Sequence, residues 1–215
     1  MRSHPVTFDM HLHTTRHSPD SQLNPFRLVR RARELGLYGI AITEHDKVWS
    51  DEELAELRAA TPGILIFTGV EVSAKEGHFL AYGVTDVTKI APGIGVKELC
   101  QEVHHQGGAV IAAHPYRWDQ NFDEVLEQVR PKLDGIELMS VNMDSNLRQR
   151  AALLMENRSW SGCGNSDAHR EEDIAACYTQ FPRRVRDQRD LIEALRTGQA
   201  SPCERDGDRV QVRYG

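Results

Sequence analysis

Hydrophobic residues along the chain recur with two periodicities, one typical of strands and one typical of helices. Short apolar or alternating runs such as VTFDMHLH and AVIAAH predict strands, and segments whose apolar residues recur every three or four positions predict helices between them. Residues 24–36, NPFRLVRRARELG, carry clear helix signals, with Asn24 as the cap, Pro25 at the first helical position and Gly36 as the stop. The pattern therefore predicts a chain in which strands and helices alternate.

This alternation extends over most of the sequence. The predicted strands are residues 6–13, 38–43, 63–72, 78–84, 109–114, 135–140, 160–164 and 177–182. The predicted helices are residues 24–36, 51–60, 96–106, 122–129, 146–157 and 187–198. Such an order predicts parallel β-α-β units in a single α/β domain spanning residues 1–215. After the last helix, the polar residues 203–215 predict a tail or an edge hairpin.

Composition narrows the class of protein. A chain of 215 residues with 40% hydrophobic residues suits one α/β barrel domain. No apolar run reaches the ~20 residues of a membrane-spanning helix, and the first ten residues lack a signal-type apolar segment, so we expect a cytoplasmic protein. The net charge of −6 argues against strong nucleic-acid binding. The four cysteines lack Cys-x-x-Cys spacing, which argues against a thiolate zinc site or a disulfide framework.

Histidines and acids collect at the ends of the predicted strands. They are Asp9, His11, His13, Glu44, His45, Asp46, Glu71, His114, Asp167 and His169. In a (β/α) barrel, strand ends of this kind converge on one rim. Imidazoles and carboxylates together favour Zn, Mn or Fe ions, and their number exceeds the four ligands of one tetrahedral site. The sequence therefore predicts a centre of two or three divalent metal ions that share a bridging carboxylate.

Five short motifs occur in order between residues 9 and 169. They are DMHLH at 9–13, ITEHD at 42–46, GVE at 69–71, AHP at 113–115 and SDAH at 166–169. Together they resemble the motifs of the PHP (polymerase and histidinol phosphatase) domain superfamily. The resemblance implies a distorted (β/α)₇ barrel with a trinuclear metal site and the activity of a short, stand-alone metal-dependent phosphoesterase.

The resemblance also implies a ligand for each ion. The first ion is expected at His11, His13, Glu71 and Asp167, and the second at Glu71, His78 and His114. The third is expected at His45, His169 and Asp20, with His17 as the alternative to Asp20. Asp9 is expected to orient a ligand histidine, and Glu137 is left outside the ligand set.

Such a centre suits hydrolysis of a small phosphomonoester by a metal-bound hydroxide, because coordination lowers the pKa of water toward ~7. His45, His169, Glu44 and Asp46 are the candidates for protonating the leaving group, and the sequence does not choose among them.

Other residues close to the motifs are candidates for binding the substrate. Arg117 and Arg170 each follow a ligand motif and are candidates for binding phosphate oxygens. Tyr116 or Trp118 could stack on a ring of the substrate, although core packing is the favoured role for both.

Three other functions stay open. A phosphodiesterase or nuclease acting on short oligonucleotides or cyclic phosphates would use the same metals. An amidohydrolase commonly uses a bridging lysine at a strand end. The five lysines of this chain are poorly placed for that role; they are Lys47, Lys75, Lys89, Lys97 and Lys132. A non-catalytic scaffold would be expected to lose ligands, which this chain retains. The expected partner is a small phosphorylated molecule, with no membrane attachment.

Overall fold

The computed structural model describes residues 4–119, 121–156 and 158–212. Its strands are β1 (Val6–Asp9), β2 (Gly39–Ile42), β3 (Leu65–Ala74), β4 (Gly77–Tyr82), β5 (Ala109–Ala112), β6 (Gly135–Met139), β7 (Ser161–Gly164), β8 (Cys177–Phe181) and β9 (Ser201–Glu204). Its α-helices are α1 (Pro25–Leu35), α2 (Asp51–Ala60), α3 (Val96–His105), α4 (Phe122–Gln128), α5 (Ser145–Met155) and α6 (Gln188–Arg196).

Local sequence signals set the ends of helix α1. The Asn24 side chain accepts hydrogen bonds from the backbone of Phe26 and Arg27, and Gly36 ends the helix in a left-handed conformation with φ of 90°. The buried face of α1 packs against strand β2, all four residues of which are buried. Within the described ranges, every helix is too short or too polar to span a lipid bilayer.

All nine strands form one sheet in the order β7-β6-β5-β4-β3-β2-β1-β8-β9. Neighbouring strands are parallel except in four pairs: β3–β4, β4–β5, β1–β8 and β8–β9. The prediction of parallel units alone is therefore wrong for β4, β8 and β9. Only two residues separate β3 from β4, and so short a connection allows a hairpin but no crossover. Strand β9 pairs antiparallel with β8 although helix α6 lies between them in the chain, and the described residues 205–212 contain no strand, so the alternative of an edge hairpin within residues 203–215 is wrong for the part of the chain that the structure describes.

Strand β7, at one end of the sheet, returns to strand β8 near the other end. The Thr179 hydroxyl donates to the backbone oxygen of Gly164 at 2.8 Å and accepts from its N–H at 3.2 Å. A Cβ atom at Gly164 would lie 2.7 Å from the backbone oxygen of Tyr178, so only glycine permits this approach. The sheet curls into a nearly closed barrel, which confirms the predicted α/β barrel class.

We expect Thr179→Val to weaken this closure. The substitution keeps the side-chain shape but leaves two buried backbone groups of Gly164 without their partner, which costs about 1–3 kcal/mol of unfolding free energy. The matched control is Thr85→Val, whose exposed hydroxyl contacts Gln106, and its effect should stay within about 0.5 kcal/mol. Urea unfolding measures both, and equal losses would contradict the role assigned to Thr179.

Candidate metal centre

The two histidines after β1 point to the same place. His11 and His13 are two residues apart in extended chain, so their side chains share one side, and both are fully buried. Strand β1 ends at Asp9, earlier than the predicted residue 13, and the chain beyond it is held by a bridge between Leu12 and Ala168. This bridge brings the first motif beside Asp167.

Four residues from three parts of the chain form the first group. His11 Nε2 lies 3.4 Å from a Glu71 carboxylate oxygen and 3.3 Å from Asp167 Oδ1. His13 Nε2 lies 3.3 Å and 3.2 Å from the same two oxygens. The structure thus brings together all four residues expected at the first ion.

Glu71 extends the cluster to a second group through its other oxygen. Glu71 Oε1 lies 2.9 Å from His78 Nδ1 and 3.0 Å from His114 Nε2. His78 stands near the start of β4, and the antiparallel β3–β4 pairing brings it close to Glu71. The hairpin therefore explains how a histidine at the beginning of a strand reaches the rim.

The third group lies closer to solvent. Asp20 Oδ2 is 3.2 Å from His45 Nε2 and 3.2 Å from His169 Nε2. His17, the sequence alternative, turns away and contacts Glu53 of helix α2 at 3.0 Å. The structure thus places Asp20, and not His17, beside the third histidine pair.

These atoms suit divalent cations. His11 Nε2, His13 Nε2 and Glu71 Oε2 are buried and have no hydrogen-bond partner among the described residues. Unsatisfied buried polar atoms are costly, and here the unsatisfied atoms face one another. In three overlapping sets of residues, the nitrogen and oxygen atoms that could bind an ion lie within 4.8 Å of one another. The sets are His11, His13 and Asp167; His11, Glu71 and His114; and His13, His45 and His169. Their N and O donors fit Zn, Mn or Fe.

Glu137 fixes the orientation of His11. Its Oε1 lies 3.0 Å from His11 Nδ1, and its Oε2 accepts from the backbone N–H of His114 at 2.7 Å. The Asn165 amide donates to the same carboxylate at 2.8 Å. A proton on Nδ1 of His11 leaves the Nε2 lone pair directed into the cluster. From the sequence, Glu137 was known only to end a predicted strand, and no sequence signal pointed to Asn165.

Glu44 acts on His13 through a hydroxyl. The Ser18 hydroxyl donates to the Glu44 carboxylate and lies 3.2 Å from His13 Nδ1. The same carboxylate accepts from Thr14 and from the Trp49 indole at 2.9 Å. Glu44 is fully buried by these contacts, so the geometry gives no support to its predicted role as a proton donor.

Two other acids of the motifs serve as anchors. Asp9 accepts from the N–H and hydroxyl of Ser166 and from the N–H of Ala175, and so it holds the segment that carries Asp167. Burial raises the pKa of Asp9 to about 6, although Ser166 counteracts it. Asp46 binds the backbone N–H and hydroxyl of Ser73. Asp9 also has a backbone hydrogen bond with the ligand histidine His11, so the expected link to a histidine is present beside its role in positioning Asp167.

The charges of the cluster depend on one another. Burial alone would raise the pKa of Glu71, but the surrounding histidines, His11 first, lower it well below its usual range. Burial likewise opposes the charged form of His45, yet its contacts with Glu71 and Asp20 raise its pKa to about 9. Both shifts indicate that the buried carboxylates of the cluster need positive charge beside them, which divalent ions would supply when bound.

A cavity of about 390 Å³ opens beside Asp20, Asp167 and His169. Both predicted phosphate-binding arginines, Arg117 and Arg170, line it. Arg117 is half-buried, and its Nη1 lies 3.2 Å from Asp167 Oδ2. The sequence did not single out Asn142, whose amide donates to the same oxygen at 2.6 Å. The cavity therefore combines the acids of the cluster with cationic and amide donors.

Part of the chain matches a known family. A family model described as PHP-associated matches residues 146–200. An uncharacterized protein of Methanocaldococcus jannaschii is 27% identical over 147 residues, which cover 61% of this chain and 80% of that protein. A 5′-3′ exoribonuclease of Haemophilus influenzae is 39% identical over 66 residues, which cover 31% of this chain and 23% of that enzyme.

Solved structures share the fold. A two-domain protein of Bacteroides vulgatus, containing a predicted PHP-like metal-dependent phosphoesterase, matches with a TM-score of 0.73 and 24% identity over 94% of this chain. The lesion-specific endonuclease EndoQ of Pyrococcus furiosus matches with a TM-score of 0.65 and 18% identity over 92% of this chain. The chain spans 65% of the first protein and 57% of the second, so each relative contains further residues.

The number of metal ions bound per chain should depend on which of the three groups of ligands is changed. We expect His11→Ala to empty most of the centre, because His11 contacts both Glu71 and Asp167, and Asp20→Ala to remove about one ion per chain. The matched control is His17→Ala, from the same loop, which should keep the full content because His17 binds Glu53. Elemental analysis of the purified proteins measures this, and loss of metal from the His17 variant would contradict the assignment.

Glu44→Gln should impair stability and not the chemical step. The new amide group would face donors from Thr14, Ser18 and Trp49, so we expect a loss of about 1–3 kcal/mol in unfolding free energy. The kcat of the folded, metal-loaded variant should fall by less than about tenfold. A loss of kcat of about 1000-fold at unchanged metal content would restore Glu44 as a proton donor.

Proposed function

Taking the chain as a member of the PHP superfamily, which its motifs, the matched family model and its structural relatives support, we propose that it hydrolyses small phosphomonoesters at a trinuclear metal centre. Its fold is that of PHP-like metal-dependent phosphoesterases. The observation that carries the proposal is the convergence of five histidines on one buried carboxylate, Glu71. Bound divalent ions would supply Lewis-acid activation of water and neutralise phosphate charge.

Nine residues would hold the ions in this proposal. They are His11, His13, Asp20, His45, Glu71, His78, His114, Asp167 and His169. Glu71 faces all three groups, because one of its oxygens faces His11, His13 and His45 and the other faces His78 and His114. This sharing is the reason for proposing three ions rather than one.

Two arginines would bind the phosphoryl group. Arg117 already has one nitrogen at Asp167, and the guanidinium carries further N–H donors for phosphate oxygens. Arg170, which directly follows the SDAH motif, is exposed and lines the same cavity, so it would also contact the substrate. The Asn142 amide holds Asp167 in place beside them.

A proton must reach the leaving oxygen from a group that the substrate can approach. Among the predicted candidates, His45 and His169 are partly exposed, whereas Glu44 is sealed by Thr14, Ser18 and Trp49. His169 Nδ1 lies 3.0 Å from the backbone oxygen of Asp167, which directs its Nε2 toward Asp20. Because both imidazoles are also ion ligands in this proposal, we propose that His45 or His169 orients the water that protonates the leaving group.

The size of the cavity favours a small substrate. Its volume of about 390 Å³ lies at the lower end for small-molecule sites. Cleavage of phosphodiesters is the second candidate, because two of the relatives are named as nucleases. Against it, the net charge of −6 provides little attraction for a polyanionic strand. All five lysines are exposed, which offers no buried lysine for an amidohydrolase centre.

The direct test is hydrolysis by purified protein loaded with Mn, Fe or Zn. We expect release of phosphate from monoesters with kcat/KM at least about tenfold above that for dinucleotides and cyclic phosphates. The His11→Ala variant should lack this activity. Faster cleavage of dinucleotides would favour the nuclease, and hydrolysis of amides alone would favour the amidohydrolase.

Arg117→Ala should separate substrate binding from metal binding. Loss of its contacts with phosphate should raise KM about 10- to 100-fold, while the metal content stays unchanged. The control is Arg31→Ala on helix α1, where the arginine pairs with the exposed Glu34 at 3.5 Å and activity should not change. A normal KM in the Arg117 variant would contradict the proposed phosphate contact.

A further inference from the structure

An exposed tryptophan stands beside the proposed centre. Trp118 is 59% exposed, the most exposed of the five large hydrophobic side chains that are open to solvent among the described residues. Its ring centroid lies 5.0 Å from that of His78 and 5.4 Å from that of His114. Both histidines contact Glu71, so this indole sits at the second group of ligands.

The backbone holds Trp118 in an unfavourable conformation. Its φ of 55° is left-handed, as are the φ angles of His114 (24°) and Tyr116 (69°) in the same segment. Such angles are uncommon for bulky residues and cost about 1–3 kcal/mol each, so the surrounding structure must enforce them. Trp118 is therefore held in a strained conformation although its large apolar ring is exposed and does not pack in the core.

The neighbouring aromatic residue behaves differently. Tyr116 is 3% exposed, and its hydroxyl donates to Asp123 at 2.9 Å. The guanidinium of Arg150 lies 3.7 Å from the centre of its ring, and Phe122 packs against it. The core-packing role expected for both aromatics therefore holds for Tyr116, but not for Trp118.

The Trp118 ring is only partly covered by its neighbours. The Arg117 guanidinium lies over one face of the ring, with its carbon 4.3 Å from the ring centre, and 59% of the side chain stays exposed. The imidazoles of His78 and His114 meet the ring at 67° and 81°, so neither is stacked on it. A second exposed apolar residue, Val141, lines the cavity with Arg117. Arg117, which lines the cavity, thus adjoins an indole that is covered by this guanidinium on one face and is otherwise largely exposed.

We propose that Trp118 is a specificity-determining residue that stacks on a planar ring in the alcohol portion of the substrate. The substrate class is then a phosphate ester whose leaving group carries a nucleobase or an aryl ring. This inference rests on the proposed function, because the phosphate of the same molecule would lie at Arg117 and the metal centre. Stacking of a base on an aromatic side chain is a favourable interaction that tolerates different rings.

The test compares two esters that differ only in the ring. Adenosine 5′-monophosphate and ribose 5-phosphate have the same ester linkage, and only the first carries a base. For metal-loaded Trp118→Ala, we expect kcat/KM for the nucleotide to fall about tenfold or more through KM, and that for ribose 5-phosphate to change less than about twofold. Phenyl phosphate tests whether any aryl ring suffices. If kcat/KM for phenyl phosphate falls as much as that for the nucleotide, Trp118 stacks on any aryl ring; if it does not fall, Trp118 requires a nucleobase.

Two further variants separate stacking from packing. Trp118→Phe keeps an aromatic face and should retain most of the preference for the nucleotide. Trp118→Leu keeps apolar bulk over His78 and His114 and should behave like the alanine variant. Phenylalanine and leucine, like tryptophan, are bulky residues that disfavour a positive φ, so these two variants keep similar backbone strain. An equal fall for both esters would overturn the proposal, because Trp118 would then only position Arg117 or the histidines; no fall for either would overturn it too.

A binding measurement keeps this inference separate from the proposed function. The probes are an adenosine 5′-phosphonate, in which carbon replaces the bridging oxygen, and methylphosphonate, and calorimetry measures their Kd. We expect Trp118→Ala to weaken only the adenosine compound, by about tenfold or more. If this holds in a protein that hydrolyses no phosphoester, the stacking role stands and the proposed function fails. If both compounds bind equally well to wild type and variant, the stacking role fails whatever the protein hydrolyses.

Discussion

The buried carboxylate of Glu71 is the constraint on which the site depends. Ring nitrogens of five histidines lie within 3.4 Å of its two oxygens, and the side chain is almost entirely shielded from water. A buried carboxylate requires positive charge nearby, and neutral imidazoles facing it leave polar atoms unsatisfied. Divalent cations satisfy both the acid and the imidazoles. Outside this centre, residues such as Glu137 and Glu44 hold the imidazoles in the orientation that such ions need.

The topology of the sheet explains how distant residues reach Glu71. Strand β3 ends beyond Glu71, and β4 returns beside it, so that the β3–β4 hairpin brings His78 to the rim. The bridge from Leu12 to Ala168 brings the end of the first motif beside the last one. Thr179 and Gly164 close the barrel just before Asn165 and the last motif. The strained residues Asp167 and His114, with φ of 54° and 24°, occur where backbone must turn side chains inward.

Much of the fold and most of the ligands could be predicted because their signals are local. Asn24, Pro25 and Gly36 determine the ends of helix α1 by themselves, and alternation places His11 and His13 on one side. The family resemblance favoured Asp20 over His17, and the structure agrees, but the contact that holds His17 away could not be predicted, because it depends on Glu53 from a helix distant in sequence.

The roles of two motif residues also depend on distant partners, such as Ser166 for Asp9 and Ser18 for Glu44. The direction of β4 was within reach of sequence reasoning, since the five residues between the predicted strands 63–72 and 78–84 are too few for a crossover. The exposure of Trp118, by contrast, depends on a backbone turn that hydrophobic periodicity does not record.

An anomalous diffraction map from crystals of the protein loaded with Mn or Zn tests directly whether Glu71 binds metal ions. We expect a strong peak between Glu71, Asp167 and the pair His11 and His13, with further peaks toward His78 and toward Asp20. A map in which Glu71 contacts no ion, although metal binds elsewhere on the chain, would contradict this expectation.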